Sequence, residues 1–306
     1  MSVDLPSATG SAPEATEEAG DPGGALIHRV PTGIADFDSQ CGGIPAGSVV
    51  LLMGEPGAGQ QEFALTSAAH LMFRYDQERW RMRRFYLGSV QGDFTYPARV
   101  SYVSLTRSQA QVMRDVRGSF EASYHTALLE HMVFHDLSPT YFADSVVPPH
   151  WSAVAGSLLD SMAERAQRPT HPLAALAEAL EADGNGNLVI VDSVSDLVVR
   201  RGVEAEELLT LVKGLRRRAR DWNGLVYLLL SRGVAPAATE QALADSVDGL
   251  FSFAWSSNPY HSNRQRTMLI EKFMPVLSHV PHEKQGRYVI RVSPLTGLVT
   301  TQYERI

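Results

Sequence analysis

Lysine and cysteine are both scarce in this chain. Its 306 residues include three lysines (Lys213, Lys272 and Lys284), and every other basic side chain is an arginine or histidine. The one cysteine, Cys41, excludes an internal disulfide and fits a reducing cytoplasm. No apolar run reaches the ~18 residues of a membrane span, and the N-terminus lacks the basic and apolar regions of a signal peptide. The sequence therefore predicts a globular, cytoplasmic protein.

A basic surface field is also absent. The net charge is −7, and five of those negative charges lie in residues 1–24, which contain no lysine or arginine. That segment is rich in Ser, Ala, Pro and Gly, so we expect a disordered acidic tail over residues 1–24. Residues 25–306 are close to neutral and are predicted to form a single domain. A near-neutral domain does not favour binding to nucleic acid.

Short apolar runs alternate with helical patterns along most of the chain. Runs at Val49–Met53, Arg99–Leu105, Leu188–Val191 and Gly224–Leu230 predict strands, and the apolar spacing within Glu204–Trp222 predicts an amphipathic helix. The alternation predicts an α/β fold with a mostly parallel central sheet flanked by helices. From about residue 247 short alternating segments predict antiparallel strands at the C-terminus. Residues 137–170 follow neither pattern and are predicted to be an irregular insertion.

A glycine-rich loop lacks the lysine that its sequence pattern normally contains. After the strand at Val49–Met53 the sequence has the frame G-x-x-x-x-G-K-[ST], in which lysine reaches the β- and γ-phosphates and the hydroxyl binds Mg²⁺. Gln60 stands at the lysine position and Gln61 at the hydroxyl position. The backbone can still form a phosphate cradle, so the candidate ligand is ATP, held weakly. The candidate cofactor-binding residues of the loop are Gly54, Glu55, Pro56, Gly57, Ala58, Gly59, Gln60 and Gln61.

Three interpretations of this loop remain open. Loss of the lysine removes a charge-assisted contact of roughly 1.5–3 kcal/mol, or about ten- to hundredfold in affinity. The loop is then a strand–helix turn kept for folding, a weak nucleotide site, or part of a hydrolytic site. Asp192 ends an apolar strand and is the candidate carboxylate for Mg²⁺, although Gln61 supplies no hydroxyl. We assign no residue a catalytic role.

Five parts of the chain carry a resemblance to a known family: Pro31–Asp38, Gly42–Gly54, Val100–Leu105, Leu188–Asp192 and the C-terminal strand pattern. Together they resemble the RecA superfamily and, within it, the KaiC-like branch, over about residues 28–303. That branch includes archaeal recombinase paralogues and gas-vesicle regulators. The segment His135–Phe142 further suggests haloarchaeal proteins labelled HTR-like. The resemblance implies a RecA-like P-loop fold with a degenerate Walker A loop.

This chain departs from the KaiC-like pattern at two further places. Two acidic residues follow the second strand in that branch, one of which prepares the attacking water, and Thr106 and Arg107 stand there instead. Arg107 could supply part of the missing lysine charge and bind the cofactor, but it cannot act as a base. The branch's Lys-x-Arg motif, which reaches a neighbour's nucleotide, is reduced to Lys272-Phe273-Met274.

These departures predict a regulatory or scaffolding pseudo-ATPase with weak or no nucleotide binding, which works through protein–protein contacts or self-association. One alternative is an active, atypical ATPase that uses Asp192 and Arg107. Another is a DNA-binding recombinase accessory protein, for which two segments are candidates. The first segment is the set of arginines at 216–218 and 220, for which we favour a solvated helix face. The second is the region of Arg232 with Asn258–Gln265, for which we favour a hairpin.

Overall fold

The secondary structure comes from a computed structural model that describes residues 28–76, 78, 80, 94–152, 171–257, 264–278, 280 and 286–304. The tail predicted for residues 1–24 lies outside these residues. The strands are β1 (Arg29–Val30), β2 (Ile44–Pro45), β3 (Ser48–Gly54), β4 (Val100–Ser104), β5 (Met132–Asp136), β6 (Leu188–Asp192), β7 (Leu225–Ser231), β8 (Gly249–Ser257), β9 (Arg264–Lys272), β10 (Arg287–Ser293) and β11 (Gly297–Glu304).

Helices connect most of the strands, and a 3₁₀ turn at Phe73–Tyr75 follows the second helix. None of the described helices has both the length and the apolar character needed to cross a membrane. The helices are α1 (Ala35–Cys41), α2 (Gln60–Met72), α3 (Gln109–Ser119), α4 (Ala122–His131), α5 (Ser138–Tyr141), α6 (Pro149–Ser152), α7 (Pro172–Asp183), α8 (Val194–Val199), α9 (Ala205–Trp222), α10 (Ala237–Ser246) and α11 (Met274–Leu277).

One nine-stranded sheet organises the fold, with strand order β11-β10-β9-β8-β3-β7-β6-β4-β5. The strands from β8 to β5 in this order run parallel to one another. Strands β9, β10 and β11 continue the sheet in antiparallel pairs. The predicted fold class, a mostly parallel sheet flanked by helices with antiparallel strands at the C-terminus, is confirmed.

Strand β3, which carries the glycine loop, lies at the centre of this sheet and is buried along its whole length. Val50 and Leu52 face one apolar cluster, which includes residues of α2. Val49, Leu51 and Met53 face a second cluster, which includes residues of α9. A strand covered on both faces needs apolar residues at every position, which explains the unbroken run in the sequence.

Some elements differ from the sequence-based expectations. The lead-in before β2 contains α1, which ends at Gly42 in the left-handed region with φ 66°. The helices α4, α8 and α10 were not predicted, and all three are ten residues or shorter. The irregular insertion predicted for residues 137–170 begins with two four-residue helices, α5 and α6, and its residues 153–170 lie outside the described part of the chain.

A buried carboxylate fixes the lead-in segment. Asp38 is 2% exposed, and its Oδ1 accepts hydrogen bonds from the N–H and the hydroxyl of Thr32, both at 2.8 Å. Its Oδ2 accepts from the N–H of Gly33 at 2.8 Å. Burial raises the pKa of Asp38 to about 7, against the lowering effect of these hydrogen bonds. The Gly33 carbonyl in turn bonds His70 Nδ1 at 2.6 Å, which ties the lead-in to α2.

We expect Asp38→Ala to lower the free energy of unfolding by about 3 kcal/mol, because two buried N–H groups lose their acceptor. Urea unfolding followed by circular dichroism measures the change. Asp144→Ala, at an exposed position, is the matched control and should change stability by less than about 0.5 kcal/mol. Equal stabilities for the two variants would contradict this role for Asp38.

Candidate functional site

The glycine loop has the backbone of a phosphate cradle. It connects Gly54, the last residue of β3, to Gln60, the first residue of α2. Gly57 and Gly59 have φ of 71° and 123°, in the region that favours glycine. The N–H groups in the first turn of α2 have no partner within the helix and therefore face the loop. This geometry suits an anion.

Gln60 does not replace the missing lysine. Its side chain is 9% exposed and lies against the end of β3, where a Cβ added to Gly54 would come within 2.6 Å of Gln60 Oε1. Oε1 has no hydrogen-bond partner in the part of the chain that the structure describes. A neutral amide packed in this position brings no positive charge to the cradle.

One cationic group near the loop is Arg107, which follows β4. Its backbone N–H donates to Ser104 Oγ at 3.0 Å. Its Nη2 donates to the Asp192 carboxylate and, at 3.1 Å, to the Tyr102 hydroxyl. Its Nη1 pairs with Asp115 at 3.1 Å. The guanidinium is therefore bound on several sides within its own chain.

Gln61 completes this cluster. With its amide oriented by its hydrogen-bonding partners, the Gln61 oxygen accepts from both terminal nitrogens of Arg107, at 3.1 Å from Nη1. The Tyr102 hydroxyl donates to Asp192 Oδ2 at 2.5 Å. We call Gln61, Tyr102, Arg107 and Asp192 the guanidinium cluster. It unites three predicted site residues with Tyr102, whose place in an alternating strand pattern indicated only a core residue.

The guanidinium cluster is electrostatically self-contained. Burial raises the pKa of Tyr102 well above its usual value, and the nearby Asp192 raises it further, so the phenol stays a neutral donor. Burial alone would lower the pKa of Arg107, but Tyr102 and Asp192 raise it above its usual value. The side chains of Arg107 and Asp192 are 27% and 13% exposed. The one positive charge of Arg107 is thus paired with two carboxylates, the partly buried Asp192 and the exposed Asp115.

A tryptophan holds the other side of the loop, and sequence analysis did not identify it. Trp255, on β8, donates from Nε1 to the carbonyl of Pro56 at 3.2 Å. The guanidinium carbons of Arg264 and Arg266 lie 4.9 and 5.0 Å from the centre of its ring. Arg266 also pairs with Glu62 in the first turn of α2, at 3.5 Å. These contacts make Trp255 a natural fluorescent reporter of the loop.

Comparisons with known proteins identify the fold. No protein-family model matches the sequence, and no curated protein matches it. The flagellar accessory protein FlaH from Methanocaldococcus jannaschii superposes with a TM-score of 0.58 at 16% identity, over 90% of this chain and 99% of that one. A KaiC-like protein from Pyrococcus horikoshii OT3 superposes with a TM-score of 0.56 at 18% identity, over 90% of this chain and all of the other. The chain has a KaiC-like RecA fold. At these identities the likeness concerns the fold alone.

The Mg²⁺ position of a working P-loop is not preserved on this RecA fold. Mg²⁺ takes a hydroxyl oxygen and a carboxylate there. Asp192 is bound by Arg107, and the Gln61 oxygen faces the same guanidinium. Within the described ranges no three His, Cys, Asp or Glu residues form a group that could hold a metal ion. The residues present do not fit Mg²⁺.

Lys272, the retained lysine of the Lys-x-Arg pattern, is used within its own chain. Its Nζ donates to the carbonyls of Ala244, Asp245 and Val247 at 2.8–2.9 Å, at the C-terminal end of α10. Burial lowers its pKa. Met274, where the pattern has arginine, is 81% exposed. In this conformation the lysine contacts a helix end of the RecA fold, which differs from the contact to a neighbour's nucleotide implied by the resemblance.

Three of the four arginines at 216–218 and 220 are engaged in ion pairs. Arg216 pairs with Asp248 at 2.7 Å, and Arg218 pairs with Glu181 at 2.6 Å. Arg220 lies 4.0 Å from Asp248, and Arg217 is exposed on the same helix. Of the second candidate segment, residues 258–263 lie outside the described part of the chain. The arginine run is therefore partly neutralised by acidic neighbours.

Proposed function

We propose that this KaiC-like RecA-fold protein is a pseudo-ATPase that holds ATP weakly, does not hydrolyse it, and acts as a regulator or scaffold through protein–protein contacts. The observation that carries the proposal is the ion pair between Arg107 and Asp192. The carboxylate that would bind the metal is instead ion-paired with an arginine of the same chain. With Gln60 at the lysine position, the loop lacks both cations that phosphoryl transfer uses.

The residues after β4 support the same proposal. A hydrolytic site needs a carboxylate to orient the attacking water, and Thr106 and Arg107 occupy the places where the KaiC-like branch has acids. An arginine remains protonated at neutral pH and cannot accept the proton. The site therefore combines a cradle for phosphate with no general base at the expected place.

The proposed regulatory role follows from what remains once turnover is removed. RecA-like proteins resembling this chain assemble side by side, so we propose self-association or pairing with an active paralogue as the mode of action. One structural neighbour is described as a flagellar accessory protein, a description compatible with such an auxiliary role. The archaeal HTR-like type remains part of this proposal and rests on the sequence motifs.

Phosphate release from ATP in the presence of Mg²⁺ tests the loss of hydrolysis. We expect the wild-type rate to equal that of the Asp192→Ala variant and to stay at background, because the site has no general base and no metal position. Circular dichroism confirms that the variant is folded. Turnover in the wild type that disappears on Asp192→Ala would establish the alternative, an atypical ATPase.

Calorimetry with ATP tests the proposed weak nucleotide binding, and a mass measurement by light scattering tests the proposed self-association. The change in Trp255 fluorescence on ATP addition reports binding at the loop. The Trp255→Phe variant lacks this signal and shows how much of the change comes from the other tryptophans. We expect saturable ATP binding about ten- to hundredfold weaker than for an intact loop.

Salt-dependent DNA binding lost in an Arg264→Ala, Arg266→Ala double variant would favour the recombinase-accessory alternative.

A further inference from the structure

We propose that Arg107 is a tethered cation that occupies the place of Mg²⁺, so that the loop accepts a di- or triphosphate without any divalent ion. This inference rests on the proposed function, in which the loop still holds a nucleotide, and it defines the ionic form of that ligand. The ligand class is the free polyphosphate anion, either a nucleotide or inorganic pyrophosphate.

The argument starts from which oxygens the guanidinium contacts. In a working P-loop the residue after the lysine and an aspartate at the end of another strand of the sheet position Mg²⁺. Gln61 and Asp192 hold those two positions in this chain. The guanidinium of Arg107 donates hydrogen bonds to both residues, to the Gln61 oxygen and to the Asp192 carboxylate. The group that joins the two positions is therefore a cation, as in the metal-bound motif.

Several contacts anchor Arg107 in this arrangement. Ser104 holds its backbone, Asp115 holds Nη1, and the Tyr102 hydroxyl lies 3.1 Å from Nη2. Asp192 Oδ2 accepts from both Arg107 and Tyr102. A Mg²⁺ ion bound to Oδ2 would have to displace the guanidinium and would break both interactions.

The remaining surface of the guanidinium can serve a phosphate. About a quarter of the Arg107 side chain is exposed. Its guanidinium is hydrogen-bonded to Gln61 in the first turn of α2, where the helix N-terminus favours an anion. Arginine pairs well with phosphate because its N–H groups form a planar fork. A single charge paired with Asp192 and Asp115 attracts phosphate less strongly than Mg²⁺ does, which agrees with a weak site.

The first test compares ATP and pyrophosphate binding to the wild-type protein in excess Mg²⁺ and in EDTA, by calorimetry and by Trp255 fluorescence. We expect each ligand to bind at least as tightly in EDTA as in excess Mg²⁺, because no contact depends on the metal and Mg²⁺ lowers the concentration of the free polyphosphate. A tenfold or greater loss of affinity in EDTA would overturn the proposal while leaving nucleotide binding itself established. No variant is required, so folding defects cannot obscure this result.

The second test uses Mn²⁺ alone, followed by electron paramagnetic resonance. We expect no Mn²⁺ bound at Asp192 in the wild type, and a new site in Arg107→Ala that is lost in the Arg107→Ala, Asp192→Ala double variant. Arg217→Ala, an exposed arginine on α9, is the matched control and should behave as the wild type. A wild-type Mn²⁺ site abolished by Asp192→Ala would overturn the proposal, as would the absence of a new site in a folded Arg107→Ala protein.

The two tests separate failure of this inference from failure of the proposed function. If neither ATP nor pyrophosphate binds with or without Mg²⁺, the weak nucleotide site of the proposed function is wrong, and so is the ligand class named here. If ATP binds only with Mg²⁺, the pseudo-ATPase proposal stands on its phosphate-release result and the tethered cation is wrong. Binding that is as tight or tighter in EDTA supports the proposal.

Discussion

The Gln60→Lys variant is expected to bind ATP about ten- to hundredfold more tightly than the wild type, because a charge-assisted contact of roughly 1.5–3 kcal/mol is restored. The frame for such a lysine is in place. Gly57 and Gly59 have the required positive φ values, and position 60 begins α2 directly beneath the loop. Calorimetric titration with ATP measures the gain.

Matched variants separate charge from shape at this position. Gln60→Met has a similar length and no charge, and it should bind ATP no better than the wild type. Gln61→Thr alone should also bring no gain, because Arg107 still holds the Asp192 carboxylate. If Gln60→Lys folds normally and binds ATP no better than the wild type, the loop is a strand–helix turn retained for folding, and the nucleotide part of the proposal fails.

The Gly224→Ala variant is expected to lose at least about 3 kcal/mol of stability. A Cβ at this position would lie 2.5 Å from the carbonyl oxygen of Gly184 and 2.6 Å from that of Asn187. Both are backbone atoms, so relief requires movement of the chain just before β6 and β7. The carbonyl of Gly224 also accepts from Gly47 N–H at 2.6 Å, next to β3. A shift there disturbs three central strands at once.

Gly214→Ala supplies the control for Gly224→Ala, because the same atoms are added in open space. Gly214 lies in the middle of α9, and a Cβ there meets nothing within 4 Å. Alanine is the better helix former, so this variant should gain about 0.5–1 kcal/mol. Urea unfolding of both proteins should therefore give changes of opposite sign. A Gly224→Ala protein as stable as the wild type would show that the turn before β7 rearranges freely.

The sequence predicts the central architecture well because burial on both faces produces a strong signal. Strands β3, β6 and β7 are nearly continuous apolar runs bounded by turn residues. Helix α9 has its buried residues spaced three and four apart, which matches one helical face. Short helices such as α4 and α10 carry too few periods to stand out from the loops around them.

The candidate site could be predicted only in part. The loop frame and Asp192 follow from local sequence, because each depends on a strand and the residue that ends it. The guanidinium cluster joins residues of α2, β4, the segment after β4, and β6, and no spacing in the sequence expresses such a contact. The inward direction of Lys272 and the position of Trp255 over the loop depend in the same way on tertiary packing.

The central place of β3 in the sheet also bears on biosynthesis. The strand pairs with β7 and β8, as in the pairing of Val50 with Tyr227 and with Gly249. A ribosome therefore releases β3 roughly 200 residues before its last neighbour. Until β7 emerges, this buried strand has two open edges in the nascent chain, and one edge stays open until β8 follows. Truncated products that end before β7 should consequently require chaperones or aggregate, and the loop at Gly54–Gln61 becomes ordered only late in translation.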